Sequence, residues 1–214
     1  PIMKLTLILL SGLALPLSAA TSTWKGGAAG APDVWNNAAN WTPAGIPASG
    51  SDIVFPAGAL FIGEVKNINP SVRSVTVQAH GYTFKPTSSL LAGFSLTHGV
   101  TVSYAANGIT TFETVMDVLS PQTFTAAGSR LMVKYVNMTL LSGNQLTYAG
   151  NGIHEVNGGI FNEGNLVKTG TGRLIFNGNI VNPGTVTVQE GSLECQGDVM
   201  EKSVLLQAPA VVSG

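Results

Sequence analysis

The stretch Leu166–Gly197, LVKTGTGRLIFNGNIVNPGTVTVQEGSLECQG, constrains the fold more than any other part of the chain. Its glycines Gly172, Gly178, Gly184, Gly191 and Gly197 recur every six or seven residues. Between them, Leu174 and Phe176, then Val186 and Val188, then Leu193 and Cys195 alternate with more polar neighbours. Alternation of period two is the mark of a half-buried strand, and glycine marks a corner where the backbone turns or passes close to another segment. Four-residue strands that turn at every glycine cannot build a wide sheet. They can build a coil of strands.

The same beat runs backward through Gly170, Gly164, Gly158, Gly150 and Gly143, at intervals of six to eight residues. From Leu60 onward short strands follow one another with no helical pattern between them. The alternation predicts Val72–Val77, Tyr82–Phe84, Phe94–Thr97, Val100–Tyr104, Thr110–Phe112, Val115–Leu119, Gln122–Thr125, Leu131–Tyr135, Met138–Leu141 and Leu146–Tyr148. Three such segments per turn make a repeat of roughly 20 residues, within the range of solenoids. Residues 60–214 then form roughly seven rungs and a rod about 35 Å tall. A β-sandwich has longer strands and wider turn spacing, about 8–12 residues, and a left-handed hexapeptide coil demands a stricter period. The expected fold is all-β, a right-handed parallel β-helix.

Thr21–Ala59 has a different texture, rich in Pro, Gly, Ala and Asn, and it holds all three tryptophans. A solenoid's first rung exposes an apolar cross-section that an atypical terminal segment must cover. Residues 21–59 are therefore expected to be an N-terminal cap. Trp24, Trp35 and Trp41 suit that task; they are also the candidate ligand contacts, since exposed indoles side by side would form a sugar-stacking platform. Residues 1–20 read as a secretory signal peptide: Lys4, the apolar run Leu5–Leu17, and a small-residue cleavage region ending at Ala20. The run is shorter than the ~20 residues of a membrane-spanning helix, and no later segment in the mature chain spans as one.

Charged residues make up only 10% of the chain and the net charge is −1. With no basic run, nucleic-acid binding through phosphate neutralisation is not expected. Cys195 is the one cysteine, so no intramolecular disulfide can form, and it lies on the inward side of its strand.

Leu166–Gly197 resembles the autotransporter-associated β-strand repeat, whose pattern runs L-x-K-x-G-x-G-x-L-x-L-x-G and then T-x-V-x-x-G-x-L. Leu166, Lys168, Gly170, Gly172, Leu174, Phe176 and Gly178 fill the first part, and TVTVQEGSLEC from Thr185 fills the second. WKGG…VWNNAANWTPAGIP…SDIVF also looks like the opening of secreted bacterial proteins that carry this repeat. The resemblance implies a passenger-type β-helix exported to the cell surface, at the outer membrane of a Gram-negative-type bacterium, or beyond it. The family's C-terminal translocator barrel is not within the sequence, which ends in mid-pattern and so reads as a fragment whose translocator or anchor lies elsewhere.

Chemistry is sparsely signalled. The acids include no D-x-D, D-D or E-x-E pair. Glu113/Asp117 and Glu190/Glu194 are four apart, with a turn or kink expected within each pair. His80, His98 and His154 form no metal-binding spacing, and His154 and Glu155 should point to opposite sides of a strand. No nucleophile elbow, phosphate loop or calcium repeat occurs. Asn40-Trp41-Thr42 and Asn137-Met138-Thr139 match glycosylation sequons, which we read as chance. No catalytic, cofactor-binding or metal-binding residue is therefore named. The expected function is a secreted or surface-displayed structural and adhesive module without catalysis, with surface glycans or host or neighbour-cell proteins as partners. The alternatives are a polysaccharide lyase or hydrolase with its site on the middle rungs or beyond Gly214, and a carbohydrate-binding module centred on the tryptophans.

Overall fold

The computed structural model describes residues 19–213 except 69, 87–92, 105–106, 129–130, 141–142, 163, 182–183, 198, 201–202 and 208–209. Residues 1–18 of the expected signal peptide lie outside the described residues.

The chain is a parallel β-solenoid with three strand-bearing faces. The first face stacks Thr21–Trp24, Asp52–Phe55, residues 74–77, residues 99–102, Gln122–Ala126, Gln145–Gly150, Asn165–Lys168, Thr185–Val188 and Ser203–Leu206. The second stacks Glu64–Ile68, Thr83–Pro86, residues 108–112, residues 131–135, Ile153–Val156, Arg173–Phe176, Ser192–Cys195 and Val211–Ser213. The third runs from residues 71–72 through residues 93–96, 115–118 and 137–140 to Ile160–Asn162, Ile180–Val181 and Val199–Met200. Every one of these pairings is parallel.

Several corners expected as turns are passed in extended conformation. Gly93–Val102, Gly108–Val118 and Leu131–Leu140 are each one strand serving two faces, where the sequence pattern predicts two strands apiece. The register slips at these corners instead, between Tyr135 and Asn137 for example. A bulge of this kind bends the strand without ending its ladder. The rung length also varies more than the glycine beat suggests. Phe84 and Phe112, neighbours one rung apart, are 28 residues apart in sequence, whereas Val186 and Val204 are separated by 18.

In-register stacking makes the interior a set of columns. On the second face Val65, Phe84, Phe112, Tyr135, Val156 and Phe176 follow one another up the axis, all buried. Phe84 and Phe112 stack with ring centroids 4.7 Å apart, and Phe112 and Tyr135 at 5.7 Å. Such ring pairs add roughly 0.5–1.5 kcal/mol each beyond area burial.

The two ends differ. Across the free edge of Thr21–Trp24 the short strand Trp41–Thr42 pairs antiparallel, which closes the ladder at the start of the coil. At the far end Leu206 and Val212 stand in register with buried Val188 and Leu193, yet are 50% and 39% exposed. No described strand pairs beyond them.

Phe112 contacts the rungs on both sides of it, so its truncation is not easily absorbed. Phe112→Ala should lower the unfolding free energy by about 3–5 kcal/mol, measured by urea denaturation. A loss below about 1 kcal/mol would mean that the aromatic column is not a principal source of stability.

Candidate functional site

The three tryptophans are core residues. Trp24, Trp35 and Trp41 are 0%, 2% and 1% exposed, so none of them offers a ring face to a sugar, contrary to their candidacy as ligand contacts. The reason is packing: Trp35 and Trp41 meet edge to face at 4.6 Å, Trp24 and Trp41 at 5.0 Å. Phe55 on the next rung lies within 6.2 Å of all three. The polar edges of Trp24 and Trp41 are satisfied internally. Trp24 Nε1 donates to the Phe61 carbonyl at 3.1 Å, and Trp41 Nε1 to the Trp35 carbonyl at 2.8 Å.

Asn40, in the first sequon, is fully buried and holds the loop over this cluster. Its Oδ1 accepts from the Ala28 amide, and its Nδ2 donates to the carbonyls of Ala31 and Val34. An amide with all these bonds inside the protein is not open to a glycosyl donor.

The interior also holds two ionisable groups whose burial local patterning did not reveal. Lys168, matched above to the repeat's lysine, occupies an inward column between Tyr148 and Val188 and is 1% exposed. Its three N–H bonds go to backbone carbonyls: Thr169 at 2.6 Å, Gly170 at 2.6 Å and Glu190 at 3.4 Å. Burial pushes its pKa down to about 8, against the opposing pull of Glu190. The neighbouring glycines are required by this arrangement. Gly170 has φ +72°, and a Cβ at Gly191 (φ +78°) would come within 3.0 Å of the ammonium. The K-x-G-x-G pattern is thus a corner motif in which a lysine ties together carbonyls of two successive rungs.

His154 is 1% exposed, while Glu155 faces outward to Lys134 at 3.5 Å. The two therefore point to opposite sides, as the strand period requires. His154 Nε2 lies 3.0 Å from the Ala149 carbonyl, which can only accept, so Nε2 carries the proton. Nδ1 then accepts from the Tyr135 hydroxyl at 3.2 Å. Desolvation, aided by the Lys168 charge, pushes His154 down to about 4, although the bond to Ala149 opposes the shift. Burial likewise holds the Tyr135 phenol well above its ordinary range. Tyr148, which donates to Met138 Sδ at 2.9 Å, completes the cluster.

Charge on the outside is divided between faces. On the second face Lys66 binds Asp33 at 2.8 Å and Glu64 at 3.6 Å, and Lys85 binds Glu64 at 2.5 Å and Glu113 at 3.5 Å. Higher up, Lys134 pairs with Glu155, and Arg173 with Glu194. The hydrogen bond from Lys85 keeps the Glu64 carboxyl below its usual range, and that from Lys66 does the same for Asp33. A glycosidase acid needs the opposite shift. Glu190 stands in the turn before Ser192–Cys195 and Glu194 within that strand, so a turn does separate them. Glu113 and Asp117 lie on either side of the corner between the second and third faces. Among the described residues, no group of three or more His, Cys, Asp or Glu could hold a metal ion.

The first face carries the ion pair of Arg73 with Asp52, 2.6 Å apart, near its start. Its outward positions from Ser74 to Gln189 carry no Asp, Glu, Lys or Arg. Thr76, Thr101 and Thr125 are stacked in register, as are Thr123 and Thr147. Thr187 follows Thr147 two rungs on, with Val167 between.

Comparison with known proteins finds no family model, curated protein or solved structure that matches the chain.

Two outcomes follow from the buried groups. Lys168→Met leaves carbonyls of two rungs without their donor and should cost about 1–3 kcal/mol in urea denaturation. For His154 the folded pKa is the lower one, so the unfolded chain takes up the proton first as pH falls. Stability should therefore drop through pH 6.5 towards about 4, by about 2 kcal/mol between pH 7 and pH 5. His154→Phe should flatten that slope; an unchanged slope would assign it to other groups.

Proposed function

We propose that the chain is a structural and adhesive module of passenger type, secreted or displayed at the surface of a Gram-negative-type bacterium, without catalysis of its own. The observation that carries this reading is the use made of the repeat Leu166–Gly197. Lys168, the corner glycines, and Leu166, Leu174, Phe176, Val186, Val188 and Leu193 are engaged in closing and stacking the coil. A segment whose distinctive residues are consumed by architecture serves by shape. The resemblance of that segment to the autotransporter-associated repeat, and the form of residues 1–20, supply the export route.

A rod of parallel ladders suits display. Its backbone amides are tied into continuous sheets, which leaves few sites of local opening for extracellular proteases. The core draws on packing and ladders, since the single cysteine, Cys195, allows no disulfide within the chain.

The test is the address of the mature chain. Protease added to intact cells that express the protein should remove it while a cytoplasmic marker survives, and N-terminal sequencing should begin at Thr21. Retention of the chain in a protected compartment with Met3 or Lys4 near its start would overturn the reading.

A further inference from the structure

We propose that the first face is a contact surface for a neutral, extended, β-linked polysaccharide, with the threonine rows as the contacting groups. The inference rests on the adhesive reading above and specifies its surface and ligand class. Two independent observations carry it.

The first is the partition of charge. The ion pairs of Lys66, Lys85, Lys134 and Arg173 lie on the second face, and that of Arg73 with Asp52 lies near the start of the first. The outward positions of the first face hold no charge over six successive strands, from Ser74 to Gln189. Solubility can be supplied from any side of a rod, so the uncharged stretch of the first face beyond Arg73 is free to meet an uncharged partner. A charged polymer would find no counter-charge there, and a protein surface with ordinary charge density would bury ions without pairing them, which is costly. A lipid surface would call for large apolar side chains. Neutral polysaccharide has neither charge nor large apolar patches, and it offers hydroxyls and C–H groups together.

The second is the geometry of the threonines. Thr76, Thr101 and Thr125 form one row along the axis, and Thr123 and Thr147, with Thr187 two rungs on, form a parallel one. Neighbouring rungs lie about 4.8 Å apart, and residues two apart on a strand about 6.6 Å. Each threonine presents a hydroxyl that can donate and accept, beside a methyl. Parallel ladders hold these groups in place before any ligand arrives, so little ordering entropy is lost on contact. A β-linked glycan is a straight ribbon with hydroxyls along its edges and C–H groups on its faces. It can follow such a row for several sugars, so many weak bonds add along the contact.

The experiment uses the full chain and microcrystalline cellulose as the probe, with polygalacturonate-coated resin as the charged comparison. Sedimentation should show retention on cellulose that is unchanged between about 0.05 and 1 M NaCl, and none on the charged resin. Thr101→Glu with Thr125→Glu should reduce retention by about tenfold or more, while Thr111→Glu on the second face should leave it within about twofold. Thermal melting of each variant separates loss of binding from loss of fold. Absence of retention on cellulose, retention that falls with salt, or retention that survives the double substitution would overturn the proposal. None of these outcomes bears on whether the chain is exported, which protease treatment of intact cells decides separately.

Discussion

Parallel, in-register stacking is the constraint on which everything else in this molecule depends. Once a strand pairs with the equivalent strand one rung away, each side chain's neighbours are fixed as the residues above and below in its column. A large ring therefore demands rings or aliphatic groups on adjacent rungs, as Phe84, Phe112 and Tyr135 supply. Glycine becomes obligatory where successive corners pass close together. A Cβ at Gly172 would fall on the Gly152 carbonyl oxygen, and one at Gly178 on that of Gly158.

The same constraint explains how a cation is tolerated in the interior. An isolated buried ammonium costs several kcal/mol unless its donors are satisfied. Lys168 lies beside a corner where the backbone turns away and its carbonyls no longer point along the ladder. Those carbonyls need donors and the ammonium needs acceptors, and each meets the other's need. His154 solves a similar problem by staying neutral, held between a phenol and a carbonyl. Outside the coil, stacking turns single surface residues into rows. Alternating acids and bases on the second face become a ladder of ion pairs, and threonines on the first become parallel lines of hydroxyls.

Much of the architecture was legible from local patterning, because the period of two and the glycine spacing are local consequences of strands and corners. The opposed directions of His154 and Glu155 follow from that period, and the turn between Glu190 and Glu194 goes with the glycine spacing, at Gly191. The tryptophans illustrate the limit. Their number and grouping suit both a cap and a platform, and only their contacts with Phe55 and with one another decide that they face inward. The merged strands, such as Gly108–Val118, were missed because a bulged corner keeps extended backbone and needs no turn residue.

By itself the sequence determined a coil of short strands, cornered by glycine, with a distinct tryptophan-rich beginning. The tertiary structure alone decided which residues stand above which. Rung lengths vary, with 18 residues between Val186 and Val204 and 28 between Phe84 and Phe112, so no fixed period assigns the columns. Lys168 beside the carbonyls of two rungs and the charge-free rows of the first face are both products of that register. Register is a long-range property: it is set by the space each rung's corner loops leave, and not by the alternation within any strand.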